Sequence, residues 1–87
     1  MHAVVVKVKI IDSEAADSHL REQVVPRVSQ APGFVAGYWT RKDNTGLSMI
    51  IFDSEDDANR ASDQIPSMIP AAVTLDDVEI REVAAHA

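Results

Sequence analysis

Along Ala3–Ile11 the residues Val4, Val6, Val8 and Ile10 alternate with Val5, Lys7 and Lys9. A period of two predicts a β-strand with one wholly apolar face and one mixed face, and a second layer must cover the apolar side. In 87 residues there is room for one domain, 1–87, with a thin core.

The rest of the chain supplies that layer. "DSEAADSHLREQVVPRVSQAPG" opens on Asp12 or Ser13 as a helix cap, with acids in the first turn where the helix dipole favours them. Ala16, Leu20, Val24 and Val28 form an apolar stripe at every fourth position. Pro26 removes a helical hydrogen bond, so a kink or break is expected near Val25, with a short continuation to Gln30. Pro32-Gly33 ends the segment. A second strand runs from Phe34 to about Lys42, and "DNTG" reads as a hairpin turn leading into a third strand, Leu47–Asp53. Ser54 caps a second helix, "SEDDANRASDQIP", with Ala58, Ala61, Ser62 and Ile65 on its buried side. Pro66 and Pro70 bound a connector, and the last strand covers about Val73–Val83. The order β-α-β-β-α-β predicts an α+β, ferredoxin-like domain: a four-stranded antiparallel sheet with both helices on one face.

That plan leaves the other sheet face bare. Placing Val4, Val6, Val8 and Ile10 under the helices puts Phe34, Ala36, Tyr38, Leu47, Met49, Ile51, Val78 and Ile80 with them. The opposite face then holds Val5, Lys7, Lys9, Val35, Trp39, Arg41, Ile50, Phe52, Glu79, Arg81 and Val83. Exposing Trp39, Ile50 and Phe52 together would make a patch of the size that marks an interaction surface. The expected partner is a second copy of the chain, docked on Trp39, Ile50, Phe52, Lys7, Lys9, Glu79 and Arg81. The two lysines are expected near Glu79, so that the ionic groups pair. Gly37 is expected to make room for a bulky ring or a close backbone approach.

Composition excludes several classes. There is no cysteine, hence no disulfide, thiolate nucleophile or zinc-thiolate site; this fits a reducing compartment, and the expected location is cytoplasmic. The net charge of −6 argues against nucleic-acid and anionic-membrane partners. Residues 1–42 carry six Lys/Arg against four acids and residues 43–87 two against ten, an asymmetry that reads first as an acidic solvated face and would also suit orienting two copies. No segment is long enough to span a membrane, and lysines interrupt the first apolar run, which therefore does not read as a signal peptide. His2, His19 and His86 share no metal-ligand spacing, so no metal is expected. Glu55-Asp56-Asp57 is accounted for by helix capping and Asp76-Asp77 by a strand-entry turn. Ser48 and Ser62 have no histidine–acid pattern around them, and no glycine-rich phosphate loop occurs.

The stretch "APGFVAGYWTRKDNTGLSMIIFDSEDDANRAS" has a proline-glycine-aromatic strand entry, a hairpin, an apolar third strand and a Ser-acid-acid helix start running into "DDANRA". In these features, and in element order over nearly the whole chain, it resembles the antibiotic biosynthesis monooxygenase-like proteins of the dimeric α+β barrel superfamily. The resemblance implies a homodimer in which two sheets pack face to face, each subunit keeping a cavity between sheet and helices. It also implies a place among cofactor-independent oxygenases of polyketide aromatics, haem-degrading enzymes and small proteins of unassigned role. Haem-degrading relatives have an asparagine in strand one, a tryptophan at the end of strand three and a haem-ligating histidine in the second long helix. Here strand one offers lysines, Phe52 stands near the tryptophan position and the second helix has no histidine, so no haem or other cofactor is expected.

Two functions of different class fit this sequence. One is a small cofactor-independent oxygenase, or an isomerase, acting on a hydrophobic aromatic or enolic molecule. Its expected cavity residues are Tyr38, His19, Phe34, Met49 and Arg41, with Tyr38 orienting the substrate and His19 or Arg41 handling a proton or an anion. The other is a non-catalytic homodimeric module that binds a small apolar ligand. The polar content of the cavity separates them, because catalysis needs two or more polar side chains converging on an enclosed space.

Overall fold

The computed structural model describes residues 1–87. Its elements are β1 (His2–Ile10), α1 (Ser13–His19), a π-helical segment (Leu20–Val24), α2 (Val25–Ser29), β2 (Phe34–Lys42), β3 (Thr45–Phe52), α3 (Glu55–Gln64), a 3-10 turn (Ile65–Met68) and β4 (Val73–Glu82). The sheet is antiparallel throughout with strand order β2-β3-β1-β4, and the domain is a ferredoxin-like α+β fold.

Asp12 caps α1 by accepting from the Ala15 N–H at 3.2 Å, and Ser54 caps α3 by accepting from the Asp57 N–H at 3.2 Å. Pro26 does not break the first helix. The turn ahead of it widens instead: Val25 N–H donates to Leu20 C=O, five residues back, and Pro26 falls in the first turn of α2, where a missing N–H costs little. The expected kink is thus a π-turn. In the hairpin, Asp43 takes the positive φ (56°) while Gly46 lies inside β3.

Only nine of the 87 residues are buried. The core joins Val4 and Val6 of β1, Val28 of α2, Ile50 and Phe52 of β3, Ala58 of α3 and Ile65. Phe52 is wholly enclosed and meets Phe34 edge to face, ring centroids 6.2 Å apart.

This core corrects the expected facing of the hairpin. Ile50 pairs with Val4 and Phe52 with His2, so Ile50 and Phe52 lie under the helices and not on the open face. Trp39, opposite Ser48, packs on the same core. The open face carries Tyr38 opposite Met49, and Thr40 opposite Leu47. Tyr38 and Met49 are 63% and 43% exposed and therefore do not line a helix-side cavity. Two causes combine. A one-residue change in how β3 meets β1 turns the whole hairpin over. A bulge between Phe34 and Ala36 then keeps Phe34 on the helix side while Tyr38 faces out.

The outer-strand charges do lie on the open face, with Lys7 opposite Asp77, Val5 opposite Glu79 and Ala3 opposite Arg81. Glu79 does not pair with the lysines. It accepts from Arg81 of its own strand, Nη2 to Oε1, at 2.7 Å.

Candidate functional site

α3 packs directly on β1, β3 and β4, whereas none of the residues in Ser13–Val24 is buried. The first helix is therefore held off the sheet, and beneath it lies a cavity of about 490 Å³. The sheet supplies Val6, Val8 and Ile10 from β1, Trp39 and Arg41 from β2, and Gly46, Ser48 and Ile50 from β3. The helix supplies Ala16, Asp17, His19, Leu20, Arg21 and Val24, and the connector closes one end with Ile65, Met68, Ile69 and Pro70. Such a volume, mostly apolar with a few polar groups, suits a small organic molecule.

Two glycines shape this space. Gly37 and Trp39 share a sheet face, and a Cβ on Gly37 would stand 2.6 and 2.8 Å from the Cη2 and Cζ3 atoms of the indole. The bare backbone thus lets the six-membered edge of the indole rest over residue 37. A Cβ on Gly46 would meet Val8 Cγ2 at 2.8 Å, so a side chain at 46 would force the Val8 side chain to shift where β1 and β3 pair.

Two polar ties hold the helix over the cavity. Arg41 donates from Nη1 to Asp17 Oδ1 at 2.6 Å, linking β2 to α1. The Arg41 guanidinium beside Asp17 holds its carboxyl below the usual 3.8, helped by Arg21, and Asp17 in turn raises Arg41. At the other end, the His19 imidazole bonds through Nε2 to the Met68 carbonyl at 3.0 Å, joining α1 to the connector. A neutral ring that donates from Nε2 keeps its lone pair on Nδ1, where it can accept a proton.

Of the residues expected in the cavity, His19 and Arg41 border it. Phe34 is in the adjoining core, and Tyr38 and Met49 lie on the far face. Trp39, Asp17, Arg21 and Ser48 were not expected there. The signal for Trp39 lies in the sequence: glycine two residues before a large ring, on one face of a strand, is a seat for that ring. Asp17 and Arg21 stand four apart on a helix, a spacing that makes them neighbours, but nothing local says that Arg41 joins them. No group of three or more His, Asp or Glu is placed to hold a metal ion.

A ferredoxin-like sheet with a cavity between its helices and strands defines the structural class. Within it, the chain matches SnoaB, a cofactor-independent oxygenase from Streptomyces nogalater, with a TM-score of 0.76, 16% identity, and coverage of 98% of this chain and 94% of that one. It also matches the heme-degrader MhuD from Mycobacterium tuberculosis, which has two hemes bound in its active site, with a TM-score of 0.58, 14% identity and 98% coverage of both chains. At these identities the likeness is one of fold. No protein-family model and no curated protein matches the sequence.

Proposed function

We propose that this chain is an antibiotic biosynthesis monooxygenase-like protein, a cofactor-independent oxygenase acting on a hydrophobic aromatic or enolic small molecule. The observation that carries this reading is the cavity of about 490 Å³ with an indole wall and His19, Asp17, Arg41 and Ser48 on its lining. The fold shared with a cofactor-independent oxygenase adds support. In the reaction proposed, His19 takes a proton from an activated ring CH₂, and the apolar walls favour the delocalised carbanion over the water-solvated one. The carbanion itself reduces oxygen: an anthrone-type CH₂ and one O₂ give the quinone carbonyl and one water, which balances without metal or flavin.

The partner proposed is a second copy of the chain, covering the open face of the sheet. Support comes from Tyr38, Leu47 and Met49, which are exposed there by 63, 44 and 43% on a chain whose own core is thin. This is the surface expected from the sequence with its hairpin residues exchanged. No helix is long and apolar enough to cross a membrane.

The test is aerobic incubation with a panel of anthrones and hydroquinones, following oxygen uptake, beside a titration of the fluorescence of Trp39, the sole tryptophan. Oxygen uptake lost in His19→Ala supports the oxygenase. Saturable quenching with no uptake across the panel refutes it in favour of a ligand-binding module.

A further inference from the structure

The charge on the cavity rim runs against the charge of the chain. The whole protein is at −6, yet the charged groups bordering the cavity are Arg21, Arg41 and a single carboxylate, Asp17. Asp17 is bonded to Arg41 and, four residues from Arg21 on the same helix, feels that guanidinium too. The three form a cation–carboxylate–cation cluster with one positive charge left over. Arg41 reaches Asp17 through Nη1 alone, and a guanidinium has five N–H donors in a fork suited to two acceptor oxygens. The side chains of Arg41 and Asp17 are 44% and 40% exposed, so the cluster stands where the cavity meets solvent. Below it lie the indole of Trp39 and the apolar walls.

We infer that the cavity takes a flat aromatic ligand bearing one negative charge, its ring beside Trp39 and its anionic group competing with Asp17 for the guanidiniums of Arg41 and Arg21. The inference rests on the proposed small-molecule site and adds the charge of what enters it. A carboxylate, or a phenolate or enolate already ionised, meets these requirements. The one net positive charge of the cluster would draw such an anion toward the mouth against the repulsion of the rest of the surface.

The experiment compares a hydroxynaphthoate with the corresponding hydroxynaphthamide, which keeps the shape and loses the charge. Binding is read from quenching of Trp39, with each variant first shown to be folded by circular dichroism. At low salt the anion should bind about tenfold more tightly, the scale of one charge-assisted hydrogen bond. That preference should shrink toward unity in Arg41→Gln, in Arg21→Gln, and for the wild type in about 1 M salt. Asp17→Asn should tighten the anion and leave the amide unchanged, the opposite of what loss of a merely structural ion pair would do. Equal affinity for the two probes, or Asp17→Asn weakening the anion, would overturn the inference while leaving the cavity as a ligand site. Failure of both probes to bind would remove the site and the inference together.

Discussion

Gly37→Ala puts one methyl group where the indole of Trp39 now rests. The new carbon would sit 2.6 Å from Cη2 and 2.8 Å from Cζ3, with Phe34 Cε2 at 3.4 Å behind it. Carbon atoms pack at about 3.5–4.0 Å, so the ring must retreat by about 1 Å. Retreat is resisted because Trp39 already packs against the core that contains Ile50 and Phe52. The backbone is not the obstacle: Gly33 has a positive φ and Gly37 does not, so alanine can take residue 37's conformation. Overpacking of this kind costs about 1–3 kcal/mol. The lower entropy of the unfolded alanine chain returns about 0.4–1 kcal/mol. The net loss is about 1–2 kcal/mol, which for a chain of this size lowers Tm by roughly 5–15 °C.

The assay is thermal unfolding followed by circular dichroism and by tryptophan emission. As Trp39 is the sole tryptophan, a shifted native-state emission would report a change in the surroundings of that ring. The pairwise cause is isolated by repeating Gly37→Ala in a Trp39→Phe background, where the Cη2 and Cζ3 atoms are absent. There the alanine should cost little or nothing, a coupling of about 1 kcal/mol or more. A Gly37→Ala protein that melts with the wild type and emits like it would refute the placement of the indole over residue 37. Equal losses in both backgrounds would show that the penalty has another source.

Ser54→Ala removes the oxygen that caps α3 and should cost about 1 kcal/mol, read from urea unfolding with an unchanged m-value. Met49→Glu, or Tyr38→Glu, places a charge on the open face and should convert the proposed dimer to a monomer with little change in helix content; a variant that sediments as the wild type does would exclude that face as the interface. Because folding lowers the Asp17 carboxyl below 3.8, its pairing with Arg41 stabilises the fold at pH values above 3.8 and loses that contribution as pH falls through the depressed value. The stability difference between wild type and Asp17→Asn should therefore be constant near neutrality and disappear in strong acid; a difference independent of pH down to full protonation would contradict the ionic pairing.

Most elements are legible in the sequence because their causes are local. The alternation of Val4 to Ile10, the caps Asp12 and Ser54, and the Asp43-Asn44 turn each act within a few residues, and the strands and helices stand close to where those signals put them. Pairing within the hairpin is legible for the same reason: Trp39, Ile50 and Phe52 do share a face, as do Tyr38 and Met49. Which of those faces turns inward is a property of the β1–β3 pairing, which joins residues some forty positions apart. Both faces are apolar enough to be cores, so hydrophobicity cannot decide between them. One small feature favours the observed pairing. Val8 lies opposite residue 46, where a Cβ would stand 2.8 Å from Val8 Cγ2, and the single glycine of β3 relieves that contact. Gly46 thus does more than lie near a turn. Its pairing with Val8 belongs to the register that sends Ile50 and Phe52 inward, and its missing side chain, with the small Ser48 beside it, borders the hollow between Trp39 and the first helix. This contact borders the cavity and lies in the β1–β3 pairing, so a Gly46→Val chain should perturb both together: a lower Tm, and weaker quenching of Trp39 by any aromatic ligand that the wild type binds.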